Sequence, residues 1–344
     1  MAEQSPMIQA QTDYVEALPF RSLARETVSL EQALGRVLAS DLLAPMDVPP
    51  YPRSIVEGYV VATDETKPAS EDAAISFSIA GKVLPGESQC PKPEPGTGIE
   101  VVTGSIVPAG NYSIVRMWDA TIEGDTFRIT RPFPPGFFIE AQGCDIKKGS
   151  VILSAGHQLT PTDIGNIASL GISTIEVMKQ PQVVVFASGD EVIPYTQAPK
   201  PGYIFDCNSV MLSAAITQAG GIATQGGIQG DDFEAFVTTV RTALSDADMV
   251  VISGGTAVNG RDFISDLIRE LGDLVIDGVK MRSGRPLIMG HAKGKPIVCV
   301  AGHPPEALRG FTLFGVAAIN RISGRDVELP ADPNPPAPMP GGPK

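Results

Sequence analysis

The sequence has no CxxC pair, no long apolar run, no secretory leader and no surplus of positive charge. Its four cysteines, Cys90, Cys144, Cys207 and Cys299, are widely scattered, and no two of them form a metal-ligand pair. That pattern argues against a structural zinc and against a disulfide framework. No stretch approaches the ~18 apolar residues of a membrane-spanning helix, so no membrane span is expected. The N-terminal MAEQSPMIQAQTDYVEAL lacks a basic start, an apolar core and a small-residue cleavage site, and the expected compartment is the cytoplasm. A formal charge of -13 argues against a nonspecific nucleic-acid binder, which needs a concentrated basic surface to displace counterions. Any anionic ligand must be held locally, against the charge of the whole.

What the chain does have is length, glycine and proline. Its 344 residues exceed the size of one ordinary domain of roughly 100–200 residues, and 36 Gly with 31 Pro suggest a loop-rich, β-containing protein. Apolar residues at helical spacing (Tyr14, Val15, Leu18, then Leu30, Ala33, Leu34, Val37, Leu38) predict two helices within residues 12–40, with Ser29 placed to cap the second. The prolines of Ala44-Pro-Met-Asp-Val-Pro-Pro-Tyr-Pro52 forbid helix and mark a boundary. Short alternating segments over about 55–145, separated by Gly and Pro turns, predict a small β-rich domain. Residues 146–178 return to helix, with Pro161 at a helix start. From Pro181 onward apolar strands (183–186, 249–253, 296–301) alternate with helices (208–219, 232–245, 262–271, 305–322), the pattern of a parallel sheet covered on both faces.

The expected fold class is therefore α/β multidomain. Its parts are a discontinuous N-terminal helical domain (1–50 and 146–180), a β-rich domain (51–145), a doubly wound α/β domain (181–325) and a disordered Pro/Gly-rich tail (326–344).

Three strand ends of the α/β domain carry Gly-rich or acidic loops: Ala187-Ser-Gly-Asp-Glu191, Ser253-Gly-Gly-Thr-Ala-Val-Asn-Gly-Arg-Asp262 and Ala301-Gly-His-Pro-Pro-Glu306. Ligands of open α/β sheets sit at the carboxyl ends of strands, so the loops should converge on one cleft. Ser253-Gly254-Gly255 at a strand-to-helix junction offers unhindered N–H groups to the oxygens of phosphate or another oxyanion. Asp190, Glu191, Asp231 and Asp262 are hard oxygen ligands suited to Mg²⁺, although an Asp at such a turn also serves as a helix cap. His303 can bind an oxyanion or metal, or simply brace its loop.

Taken in order, these loops resemble the molybdopterin-binding domain of the molybdopterin molybdotransferase family, the bacterial MoeA type that is also the gephyrin E-domain type. The resemblance extends through Ala33-Leu-Gly-Arg-Val-Leu-Ala39, Asp47-Val-Pro-Pro50, Glu57-Gly-Tyr59, Thr103-Gly-Ser-Ile-Val-Pro108, Gly143 with Asp145, Leu159-Thr-Pro161, Asp206 with Asn208, and Gly230-Asp-Asp232. It implies a lid-like β domain, a MogA-like α/β domain holding the pterin, and a homodimer with composite sites. The family's further C-terminal β domain is expected to be absent, since the sequence ends soon after Ile322. The implied reaction is Mg²⁺-dependent insertion of molybdate into adenylylated molybdopterin with release of AMP, and transient contact with the adenylyltransferase and apo-molybdoenzymes is expected.

Carried onto this sequence, the resemblance makes Glu57, Thr103, Glu191, Asp231 and Asp262 the catalytic group, and Asp190, Glu191, Asp231 and Asp262 the metal set. Cofactor binding falls to Ser188, Gly189, Ser253, Gly254, Gly255, Arg282, Gly284, Arg285, Gly302, His303 and Pro304. Several positions depart from the family pattern. Glu57 stands where an Asp is usual, Ala257 where a Ser is, Gly278 where a Lys is, and Glu140 where a lid-domain Arg is. Arg282-Ser-Gly-Arg285 replaces Lys-Pro-Gly-Lys and keeps two cations able to grip phosphate. Glu140 and Glu306 are expected to make the cleft less welcoming to anions. Two other readings remain open: a noncatalytic cofactor-binding or insertion protein on the same fold, and a hydrolase reusing the cleft.

Overall fold

The computed structural model describes residues 6–19, 23–255, 263–281 and 284–325. The readings at Ala257, Asp262 and Arg282, and that of the tail 326–344, lie outside the described residues. Contacts divide the chain into two compact units, one of Met1–Ser40, Ala155–Ile164 and Ser173–Lys344, the other of Asp41–Ser154 and Gly165–Ile172.

The larger unit is built on a six-stranded sheet. Its strands are β1 (Gln182–Ser188), β2 (Ile222–Gln229), β3 (Met249–Gly254), β4 (Asp273–Met281), β5 (Gly284–Ala292) and β6 (Lys295–Val300), in the order β2-β1-β3-β6-β5-β4. Successive residues of a strand face opposite sides, so the continuous apolar runs serve two cores at once. Val183, Val185, Met249, Val251, Val298 and Val300 enter one core, with Leu212, Ile216, Phe311 and Phe314 from the helices that cover it. Val184, Phe186, Val250, Ile252, Ile297 and Cys299 face the other, under the helices Phe233–Asp246 and Phe263–Leu271. Each fully buried Val, Leu, Ile or Phe contributes about 1.5–3 kcal/mol, and this two-sided burial fixes which strand ends lie side by side.

The sheet is not wholly parallel, as the sequence had suggested. β2, β1, β3 and β6 run parallel, whereas β5 and β4 form an antiparallel hairpin at one edge. The hairpin was hidden because its ladder shifts register three times, once across Gly278 between Asp277 and Val279, which breaks the alternation a reader looks for.

The second N-terminal helix is absent as well. A single helix, Pro6–Ala17, is followed by a strand, Arg25–Ser29, paired antiparallel with Thr174–Met178, and by a short 3-10 turn, Leu30–Gln32. Ser29 makes no side-chain cap hydrogen bond. Gly35 at φ 74° ends any helical run, and the N–H groups of Gly35 and Leu38 go to the carbonyls of Leu159 and His157. Backbone bonds to residues distant in sequence override the helical spacing of the apolar residues. The helix Pro6–Ala17 packs on the α/β sheet: Tyr14 is fully buried there, its hydroxyl near the carbonyls of Gly290 (3.3 Å) and Ile297 (3.4 Å).

The smaller unit holds a second six-stranded sheet, in the order Tyr112–Arg116, Gly58–Ala62, Thr97–Val101, Ile75–Val83, Thr126–Ile129, Thr121–Glu123. Its pairs are antiparallel except that of Ile75–Val83 with Thr97–Val101. Tyr59 and Phe77 both stack on Phe127 in its core, at centroid distances of 4.1 and 5.3 Å. The chain is thus α/β and multidomain, with a β-rich part and a doubly wound α/β part. Among the described residues no helix is long and apolar enough to cross a membrane.

Phe186 needs a glycine beside it. A Cβ on Gly226 would lie 2.2 Å from Phe186 Cε1, next to the register shift of β1 against β2. Gly226→Ala should therefore destabilise by about 1–3 kcal/mol through overpacking. Urea unfolding of Gly226→Ala, Phe186→Leu and the double variant checks this: the double should lose less than the sum of the singles, and strict additivity would show the ring is not what excludes the methyl group.

Candidate functional site

β1 and β3 are neighbours, but the chain leaves β1 for β2 on one side and reaches β3 on the other. This reversal leaves a crevice at their carboxyl ends, the usual ligand position in such sheets. A cleft of about 490 Å³ opens there, lined by Ser188, Glu191, Ser253, Gly254, Gly255, Gly302 and Pro304, and on its other wall by Val192 and residues 204–208.

The glycines of the β3 loop are there for space. Gly254 (φ 88°) and Gly255 (φ 69°) adopt left-handed backbone, and a Cβ would lie 2.7 Å from the Ser188 carbonyl at Gly254 and 2.6 Å from Ser188 Oγ at Gly255. The loop is drawn flat against the end of β1. Ser188 Oγ is buried there without a hydrogen-bond partner among the described residues. Asn208, at the start of the helix Asn208–Gln218, joins the other two loops: its Nδ2 donates to Ser253 Oγ (2.7 Å) and to the Gly302 carbonyl (2.7 Å). Ser253 Oγ in turn lies 3.3 Å from the Ala301 carbonyl. Asp206 Oδ1 accepts the N–H of Ser209 (2.9 Å) and orients that helix start.

The acidic residues stand close to one another. Asp190 Oδ1 accepts the N–H of Asp231 (3.2 Å), and Glu191 curls over Gly189, where a Cβ would lie 2.7 Å from its Oε2. Desolvation, with the charges of Asp190 and Glu191, raises the Asp231 carboxyl above its ordinary value. Asp232 is a helix cap, accepting the N–H of Ala235 (3.1 Å). The three carboxylates nevertheless do not form a closed ligand set. Among the described residues the one group with all ligand atoms within 4.8 Å is Glu140, Cys144 and Asp145. In that group Glu140 is bound to Arg53, and desolvation with the Asp145 and Glu140 charges keeps the Cys144 thiol protonated above its usual range.

The remaining expected residues are placed differently. Gly189 and His303 do not line the cleft; His303 precedes the helix Pro304–Gly310, and its carbonyl accepts the N–H groups of Glu306 and Ala307. Gly284 opens β5. Arg285 spends its guanidinium on backbone, donating from Nε to the Gly278 carbonyl (3.1 Å) and from Nη2 to the carbonyls of Asp277 (2.9 Å) and Gly278 (3.0 Å). Glu57 and Thr103 are exposed on the smaller unit. Sequence reasoning gave no role to the wall formed by Ile204, Phe205 and Asn208. The pair Asp206 and Asn208 before a helix was its one visible signal.

Comparison with known proteins matches residues 5–171 to the MoeA N-terminal region (domain I and II) and residues 184–321 to a probable molybdopterin binding domain. The chain is 32% identical over 295 residues to a molybdopterin molybdenumtransferase 2 of Mycobacterium tuberculosis, covering 84% of this chain and 73% of that one. The chain belongs to the molybdopterin molybdenumtransferase family. A Staphylococcus aureus molybdopterin molybdenumtransferase is 28% identical over 305 residues, covering 88% of this chain and 73% of that one. The molybdopterin biosynthesis moeA protein of Pyrococcus horikoshii superposes with a TM-score of 0.80 at 32% identity, covering 94% of this chain and 81% of that one.

Within this molybdenumtransferase-family chain, two departures turn out to be paired in space. Glu140 lies opposite Arg53 in a short antiparallel ladder and binds its guanidinium, so its charge is not left open. Gly278 is where Arg285 folds over: a Cβ there would lie 2.9 Å from the Arg285 Cβ.

Asn208 is the residue on which the cleft's polar wall turns. Asn208→Ala removes two hydrogen bonds and leaves the Gly302 carbonyl without that donor, an expected loss of about 1–3 kcal/mol. Denaturant unfolding should show that loss, and Asn208→Asp should be at least as damaging, because a carboxylate cannot donate to Gly302. Wild-type stability in both variants would remove Asn208 from this role.

Proposed function

We propose that this chain inserts molybdate into adenylylated molybdopterin in a Mg²⁺-dependent reaction that cleaves the phosphoanhydride and releases AMP, a step of molybdenum cofactor biosynthesis. One observation carries the reading: the glycine turn at Ser253–Gly255 and the carboxylate of Glu191 line one cleft at the β1/β3 crossing, in a chain of this family. Backbone N–H groups of a glycine turn suit phosphate and molybdate oxygens, and Ser188 Oγ supplies a buried hydroxyl without a partner among the described residues. The apolar wall of Val192, Ile204 and Phe205 suits a ring system.

Asp190, Glu191 and Asp231, with Asp262, are the residues that would hold Mg²⁺. Their chemistry fits a hard cation, and a cation would offset both the desolvation and the Asp190 and Glu191 charges that raise the Asp231 carboxyl. An open set suits Mg²⁺, which keeps several waters and takes one or two carboxylates. When bound, it would neutralise charge developing on phosphate oxygens. Glu57 and Thr103 are assigned to closure over the substrate, within composite sites of a homodimer. The same proposal keeps the three-domain division, a cytoplasmic location, and passing contacts with the adenylyltransferase and apo-molybdoenzymes. For Arg285 to grip phosphate it must first release the Asp277 and Gly278 carbonyls. That cost favours the second reading, a protein that binds the pterin nucleotide without turnover.

The full chain mixed with adenylylated molybdopterin, molybdate and Mg²⁺ separates the two. AMP appearing together with active cofactor supports the transferase; binding by calorimetry without AMP supports the noncatalytic protein. In the first case Asp231→Asn should lower turnover about 10–100-fold, the scale of a weakened metal site. The metal assignment has its own readout. In the metal-free protein the Asp231 carboxyl should titrate by NMR above the ordinary value of about 3.9, and Mg²⁺ should lower its midpoint. A midpoint unmoved by millimolar Mg²⁺ would take Asp231 out of the metal set.

A further inference from the structure

A small cavity lies away from the cleft, where separate stretches of the larger unit meet. It is lined by Arg36 from the turn Gly35–Val37, by the connector Met178–Pro181, by Gly220, and by Ser323 and Arg325 after the helix Val316–Ile322. About 10 Å³ is left for the centre of a water-sized occupant, room for one small species.

Three polar atoms of these lining residues are buried without a partner among the described residues: Arg36 Nε, Arg325 Nε and Ser323 Oγ. Other nitrogens of each guanidinium are engaged. Arg36 Nη2 binds the Glu26 carboxylate and donates to the Met178 carbonyl (2.8 Å), and its side chain is only 11% exposed. Arg325 Nη2 donates to the Ala219 carbonyl (2.5 Å) and Nη1 to Gln158 Oε1 (3.2 Å). The orphaned N–H groups cannot swing away to other acceptors, and a buried donor left unpaired is costly. A guanidinium only donates, so the missing partner is an acceptor.

The charges decide between water and an anion. Arg36 is balanced by Glu26. Arg325 meets only neutral oxygens among the described residues, while burial lowers its pKa. Lys179 lines the same cavity and is exposed. The balance is positive, and one monovalent anion would offset the charge of Arg325.

We propose that this cavity binds a single small monovalent anion, of the size of chloride, through Arg36 Nε, Arg325 Nε and Ser323 Oγ. The anion ties the connector between the strand Thr174–Met178 and β1 to the end of the last helix. The proposal is independent of the reaction at the cleft.

The test is thermal unfolding of the full chain at constant ionic strength, with sodium chloride or bromide replaced by sodium gluconate, whose anion is too bulky to enter. The midpoint should be about 2 °C or more higher in the halides and should rise with halide concentration, as for any ligand of the folded state. The halide increment should vanish in Arg325→Gln and shrink in Ser323→Ala, which keeps both charges and serves if the arginine variant fails to fold. Crystals grown in bromide should show an anomalous peak between the two Nε atoms. Equal midpoints in halide and gluconate overturn the proposal and leave the cavity to water or to another group of the chain. A full halide increment in both variants, or a bromide peak only elsewhere, overturns it equally.

Discussion

Everything in the cleft depends on the close approach of β3's exit loop to the end of β1. At Gly254 and Gly255 the backbone presses on the Ser188 carbonyl and hydroxyl at distances no Cβ tolerates. Both residues also hold left-handed dihedrals that other side chains adopt only under strain. A larger residue at either position would push the loop off the strand, and Ser253 would leave the reach of Asn208 Nδ2. The loop after β6 would lose its tie too, because the same Nδ2 holds the Gly302 carbonyl. The cleft is thus a consequence of missing atoms at two positions, stabilised by one amide.

This constraint was partly legible in the sequence, and the reason is physical. β1, β3 and β6 are buried on both faces, so they read as unbroken apolar runs, and their ends announce the glycine and acidic loops. Residues 29–38 misled because Leu30, Ala33 and Val37 are indeed buried, but by strand pairing and backbone bonds to residues distant in sequence rather than by a helix face. Apolar spacing reports that residues are buried, and does not report which backbone bonds bury them. The hairpin of β4 and β5 failed for the opposite reason: Gly278 and its neighbouring register shifts erase the period of two. The last helix, expected as one run over 305–322, holds a π turn at Phe311–Gly315, where Gly315 makes room for the Phe311 ring; no periodicity signals that.

The site residues divide along a similar line. Backbone donors and cap carboxylates at strand ends follow from local sequence, and Ser188, Ser253, Gly254, Gly255, Gly302, Pro304 and Glu191 line one cleft. Long side chains do not follow from local sequence. Arg285 has reach enough to choose among acceptors, and it takes the carbonyls of Asp277 and Gly278 in the facing strand. His303 has its backbone carbonyl engaged at the helix start while its ring remains exposed.

Departures from a family pattern carry less information singly than in pairs. Glu140 alone looks like a charge reversal hostile to anions, yet with Arg53 across the ladder the positive charge has moved one strand over. Gly278 alone looks like the loss of a lysine, yet it is the space into which Arg285 folds. Glu306 alone looks like a second repulsive charge, but it is buried in the first turn of the helix Pro304–Gly310, where the helix amides favour a carboxylate. In each case the compensating group is distant in sequence or belongs to the backbone, so it becomes visible only when strand register and helix boundaries are known. A chain of net charge -13 therefore does not meet an anionic ligand with its average charge. On the proposed function it would meet it with the glycine-loop amides at the end of β3, whose partial charges no substitution of a neighbouring side chain removes.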